Sequence, residues 1–296
     1  MGTARVQGGA GLAVTGLRWA SESGSASEEP VLICLLGRFR VLTCGDEIPV
    51  RNWGKTAQLL AALALSERHC ETRDSLIGRL WPDGETTRSR HALNSLVHGM
   101  RKLLGDALAG APPVVHAAGS YRLNMSAGMG VDVVHFDAFC HRAEQCLRAG
   151  DNSTAARLWE GAAALYQGDL CVLDDIRAVV ERERLRAAYL SVLARLSERC
   201  FLDGDYVGAL EYALRLLSHD PCREDGHRMA MRCYAHRGER AQAFRQYRTC
   251  AHILAAEFDA CPEPLTVALF DRLRLDPAGS ELDAAHDVNT TAIGTA

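Results

Sequence analysis

From Val31 onward the apolar positions come first in short runs and then at helical spacing. The segment VLICLLGRFRVLTCGDEIPV holds three stretches, Val31–Leu36, Phe39–Leu42 and Ile48–Val50, broken at Gly37 and at Gly45-Asp46. Short apolar runs bounded by turn residues predict strands. Lys55–Ser66 then sets Leu59, Leu60, Leu63 and Ala64 on one helical face. Thr72–Leu80 predicts a second helix, capped by Thr72 and stopped at Trp81-Pro82. A third runs from about Thr86 to Leu104, and Val114–Ala117 with Ser120–Leu123 predicts a hairpin turning at Ala118-Gly119.

The spacing changes for good after Val131. Helices are predicted over 134–149, 151–166, 177–202, 205–218, 223–237, 239–258 and 263–274, with breaks at Gly150-Asp151, Gly168-Asp169, Gly204-Asp205, Asp220-Pro221, Gly238-Glu239 and Cys261-Pro262. Gly204-Asp205…Ala209 recurs as Gly238-Glu239…Ala243, 34 residues on. A period near 34 with a small residue early in a helix marks TPR-like stacking, because a larger side chain there would push two antiparallel helices apart. A generic helical bundle is the plainer alternative. The fold class expected is therefore mainly α. An N-terminal winged helix-turn-helix, with a small β-sheet and a wing hairpin, spans 31–125. A C-terminal all-α TPR-like domain spans 131–275, and disordered tails cover 1–30 and 276–296.

The third helix, TTRSRHALNSLVHGMRKLLG over 86–105, carries the functional argument. Leu93, Leu96, Val97, Met100, Leu103 and Leu104 form one apolar stripe. The other side shows His91, Asn94, Ser95, His98, Arg101 and Lys102, and Thr87, Arg88, Ser89 and Arg90 flank its start. These twenty residues contain no Asp or Glu. A solvated face normally mixes signs, since opposite charges at i,i+4 attract; an acid-free face rich in donors suits a polyanion. Asn pairs bidentately with adenine and Arg with guanine, while Arg101, Lys102 and the hydroxyls at the helix start suit phosphates. In the hairpin, Arg122 is a phosphate candidate, and Tyr121 is placed either at the DNA or in the core. The rival reading is a basic surface helix without a ligand, on a TPR-like interaction scaffold.

Charge supports the split. Residues 31–125 carry 12 Lys/Arg against 8 Asp/Glu, whereas 126–296 carry 19 against 26. The overall charge of −4 hides a basic module beside an acidic one. Eleven cysteines, an odd number with no CxxC pair, argue against a disulfide framework or a zinc site. No apolar run approaches the roughly 18 residues of a membrane helix, and glycines dilute the N-terminal stretch too much for a signal peptide, so a cytoplasmic location and no membrane partner are expected. Gly54-Lys55-Thr56 resembles the end of a P-loop, but Pro49 stands where its first glycine belongs. His91 and His98 lie too far apart on their helix to share an ion. Asp174-Asp175 reads as a helix cap. No catalytic constellation, cofactor site or metal site is expected, and no enzyme activity.

At these residues the chain resembles the SARP family of pathway activators, of the small type. The resemblance rests on Leu35-Leu36-Gly37, Phe39 and Val41; Lys55 with Leu59-Leu60-Ala61; Leu76…Leu80-Trp81-Pro82; Ala92-Leu93…Met100-Arg101-Lys102-Leu103-Leu104; and Gly119…Tyr121-Arg122-Leu123. Further on, Val131-Asp132…Phe136…Phe139, Tyr166-Gln167-Gly168-Asp169-Leu170 and Glu181–Leu185 look like the bacterial transcriptional activation domain. One departure is Gly99, which stands where relatives often carry arginine. The resemblance implies an OmpR-type winged helix that binds promoter DNA at direct repeats, as a homodimer or as tandem protomers. It also implies recruitment of RNA polymerase holoenzyme and control of a secondary-metabolite (antibiotic) gene cluster.

Overall fold

The computed structural model describes residues 29–50, 53–84, 86–171 and 175–275. The expected tails and Asp174 lie outside the described residues, except Glu29 and Pro30. The contacts divide the chain into two compact units. One runs to Ala138 and takes in Ala164–Leu185; the other comprises Phe139–Ala163 and the chain from Arg186 onward.

The first unit opens with β1 (Val31–Cys34), β2 (Arg40–Thr43) and β3 (Asp46–Glu47). β1 pairs antiparallel with β2 and parallel with β7 (Met129–Val131), giving the order β3-β2-β1-β7. Ile48–Val50, expected as a strand, is not one: the Ile48 N–H still donates to Val41 O of β2 at 3.0 Å, but the Val50 N–H then turns back onto Ile48 O at 2.8 Å. Three helices follow, α1 (Gly54–Ala64), α2 (Arg73–Leu80) and α3 (Thr86–Leu104). Thr72 caps α2 as expected, its Oγ1 accepting the Ser75 N–H at 3.3 Å. A second sheet, β4-β6-β5, joins β4 (Cys70–Thr72) to the hairpin of β5 (Val114–Ala117) and β6 (Ser120–Leu123). The hairpin turns at Ala118 (φ 50°) and Gly119 (φ 79°), the two left-handed residues that a tight two-residue connection requires.

Leu59, Leu60 and Leu63 of α1, Leu76 and Leu80 of α2, and Leu93, Met100 and Leu104 of α3 are all buried and form the core of the three helices. A second anchor is Asp132, 2% exposed at the start of α4 (Asp132–Arg148). Its carboxylate accepts the Leu35 N–H at 2.8 and 2.9 Å and the Leu36 N–H at 2.9 Å. Burial pushes its pKa up to about 6, against the opposing pull of those N–H bonds. This clamp and the β1–β7 pairing tie the start of α4 to the sheet of the first unit.

Beyond α4 the described chain is mainly helical. The chain continues through α5 (Asn152–Leu165), α6 (Ile176–Leu202), α7 (Tyr206–His219), α8 (Glu224–His236), α9 (Arg240–Phe258) and α10 (Pro264–Leu275), each within two residues of the helix read from sequence. The recurring Gly-Asp/Glu pair is a helix stop. Gly150, Gly204 and Gly238 all take positive φ, and the next N–H bonds back five residues: Asp151 to Cys146 O, Asp205 to Cys200 O, Glu239 to Tyr234 O. That is the Schellman closure, which favours glycine. The small residues behave as close packing demands. Ala209 is fully buried in a cluster with Phe201, Ala213, Ala230 and Cys233, and Ala243 in one with Met231, Leu269 and Leu273. Asp205 caps α7 through the Gly208 N–H, and Asp175 accepts the Ala178 N–H at the start of α6. Among the described residues, no helix is long and apolar enough to cross a membrane.

Candidate nucleic-acid interface

Burial of Leu93, Met100 and Leu104 fixes the rotation of α3 about its axis. The opposite side therefore shows Thr87, Arg88, Arg90, His91, Asn94, Ser95, His98, Arg101 and Lys102, all exposed. Two expectations for this helix need correction. Ser89 is 3% exposed. It packs against the turn at Gly84, where even a Cβ would lie 2.6 Å from its Oγ, so it cannot reach a phosphate. Leu103, placed on the apolar stripe, is 39% exposed because the stripe turns away from the core there.

The wing lies beside this face. Asn94, His98 and Arg101 of α3 line one side of an open groove, with Pro113, His116 and Tyr121 on the other. Tyr121, left open between DNA and core, is 2% exposed and so belongs to the core. Its hydroxyl nevertheless donates to Asn94 Oδ1 at 3.1 Å. Arg122, the next residue on β6, alternates to the opposite face and is exposed. The sequence reading missed two residues here. His116 is the cross-strand partner of Tyr121, with ring centroids 4.4 Å apart, and Arg73 Nη2 lies 3.0 Å from His116 Nε2. The signal for His116 was available, since a two-residue turn at Ala118-Gly119 sets it opposite Tyr121. Nothing local marks Arg73.

Elsewhere several arginines are neutralised within the fold, although others, Arg142 and Arg248 among them, have no carboxylate in salt-bridge range among the described residues. Arg184 is held by Asp137 and Glu181, Arg38 by Glu47, Arg79 by Glu71 and Asp175, Arg228 by Glu263. Among the described residues, Arg88, Arg90, Arg101 and Lys102 have no such carboxylate partner, and Arg101 and Lys102 sit in the last turn of α3. Cations there also meet the negative end of the helix dipole. The surface that results is a positive face with interleaved amide and imidazole groups, of a kind that suits a polyanion.

Gly99 sits exposed in the middle of α3, with nothing within 4 Å of where a Cβ would be. Gly99→Ala is expected to stabilise the fold by about 1 kcal/mol through helix propensity alone. Thermal unfolding should show a midpoint several degrees higher, and a lowered midpoint would mean that the glycine serves packing after all. Lys55, the P-loop candidate, is tied down: its Nζ donates to Leu80 O at 2.5 Å, closing the C-terminus of α2. Among the described residues, no group of three or more His, Cys, Asp or Glu is arranged to hold a metal ion.

The sequence profile of the bacterial transcriptional activator domain matches residues 131–274. The chain is 30% identical over 292 residues to the transcriptional regulatory protein EmbR of Mycobacterium bovis and to that of Mycobacterium tuberculosis, covering 92% of this chain and 70% of each of those proteins. Its fold is also that of a solved structure, Mycobacterium tuberculosis EmbR in complex with low affinity phosphopeptide. The TM-score is 0.67 at 23% sequence identity, over 84% of this chain and 67% of that one.

Proposed function

Since this chain belongs to the SARP-type, EmbR-like transcriptional regulators, we propose that it activates transcription by binding promoter DNA through α3 and the β5–β6 wing. In this reading α3 enters the major groove, with Arg88, Arg90, Arg101 and Lys102 on phosphates and Asn94 and His98 facing base edges. Arg122 braces the neighbouring backbone. The observation that carries the reading is the row of cations on α3 that no carboxylate of the described chain neutralises. The activator half contacts RNA polymerase or a second protomer. Direct repeats would let two modest contacts act as one strong one. The family resemblance supports a secondary-metabolite gene cluster as the target.

The test is a gel shift of the full chain on the intergenic DNA flanking its own gene, across a salt series. Binding should weaken linearly on a log–log plot against salt, with a slope set by the number of phosphate contacts. Absence of any shift would leave an interaction scaffold instead. Within the same assay, Asn94→Ala is expected to lower preference for the selected site by on the order of tenfold while leaving affinity for random duplex nearly unchanged. Equal losses on both DNAs would show that Asn94 reads no base.

A further inference from the structure

The Tyr121 hydroxyl reaches from the core back to the interface, and this gives a buried residue a say in what the surface reads. The Tyr121 ring is fixed on several sides: it is 2% exposed, packs against the His116 ring at 4.4 Å between centroids with a tilt of 30°, and has the Arg73 guanidinium carbon 6.0 Å from its centroid. Its O–H donates to Asn94 Oδ1 at 3.1 Å. Asn94 is itself exposed on α3, and among the described residues no group accepts from its Nδ2. The amide oxygen is thus held on the protein side, leaving the two N–H donors to the outside.

We propose that Tyr121 is a specificity-determining positioning residue, which locks the orientation of the Asn94 amide and so sets the base that α3 prefers beneath it. This rests on the DNA-binding reading above. An amide free to turn offers an acceptor and a donor side by side, the pair that matches N6 and N7 of adenine. With its oxygen turned to the protein side by Tyr121, the amide presents its two N–H donors outward, and these match the acceptor edge O6 and N7 of guanine. The locked form therefore selects guanine over adenine at that base pair, and releasing it restores adenine.

Tyr121→Phe keeps the ring and deletes only the hydroxyl. The experiment compares the full-length wild type, Y121F, N94A and the double variant, by selection from randomised duplexes and then by gel shift on single-base variants of the selected site. Y121F is expected to move preference at one base pair from guanine toward adenine by about tenfold, with the salt slope unchanged. In the N94A background the same substitution is expected to leave base preference where it was. Unchanged preference in Y121F, or an equal effect in both backgrounds, overturns the proposal, the latter because a merely structural tyrosine would behave so. Should Y121F fail to fold, ¹⁵N relaxation of the Asn94 side-chain amide in the wild type decides. An amide as ordered as the α3 backbone supports the lock, and a freely turning one overturns it. If the wild type shows no salt-dependent binding to any duplex, the DNA reading fails and this proposal with it. If it binds and Y121F keeps its preference, only the lock is lost.

Discussion

Asp132→Ala should remove about 3 kcal/mol of stability at neutral pH, enough to unfold a large fraction of a marginally stable domain. The Leu35 and Leu36 N–H groups are fully buried and both end on the Asp132 carboxylate. Without it, two buried donors lose their acceptor, at about 1–3 kcal/mol each. Asp132→Asn is expected to be milder at neutral pH, because its amide oxygen still accepts while its NH2 opposes a neighbouring donor. A pH signature accompanies this. Asp132 titrates near 6 in the folded chain rather than at its ordinary 3.8. Between those values the folded state keeps a proton that the unfolded state has lost. Its contribution is therefore fully present below the lower value and fades as pH rises through the higher one, by about 3 kcal/mol in all. Denaturant titrations of wild type and D132N should show a stability gap that is wider near about pH 5 than near about pH 8. A gap that widens with rising pH would mean that the carboxylate is stabilised, not strained, by its site.

The elements that sequence reading located well are those whose pattern is local. α3 is bounded by Thr86 and Leu104, and the hairpin by Val114 and Leu123, as periodicity and the Ala118-Gly119 turn indicate. The helices from α4 onward follow the glycine stops. What escaped depends on partners far along the chain. β7 is three residues, Met129-Gly130-Val131, whose only qualification as a strand is a parallel neighbour about a hundred residues earlier. β4, Cys70-Glu71-Thr72, has no apolar run and exists because β6 is beside it. Ile48–Val50 failed in the opposite way: its composition suits a strand, but after one bond from Ile48 to β2 the backbone turns back on itself at Val50. The interface shows the same division. The acid-free face of α3 was visible in twenty consecutive residues. The burial of Ser89 depends on the turn at Gly84, the link from Tyr121 to Asn94 on the wing folding against α3, and the role of Asp132 on the Leu35 and Leu36 backbone. None of these three is a property of a window of sequence.

If the positive face of α3 binds phosphates, Arg101→Ala combined with Lys102→Ala should weaken binding to every duplex, specific or random, by on the order of 100-fold at low salt. Both residues lie in the last turn of α3, exposed and without a carboxylate partner among the described residues. Their substitution therefore breaks no ion pair of the fold, and thermal unfolding should change little. Each phosphate contact releases counterions worth about 0.9 in the slope of log affinity against log salt, so losing two should flatten the slope by about 1.8. The direction separates this variant from Asn94→Ala, which should alter preference among sequences and leave the slope alone. Position also separates it from charge in general. Arg248→Ala removes an exposed cation from α9, in the other compact unit, and should leave the slope as it was. A double variant with an unchanged slope would place the phosphate contacts elsewhere. A slope that flattens equally in Arg248→Ala would mean that net charge, and no particular helix, draws the chain to DNA.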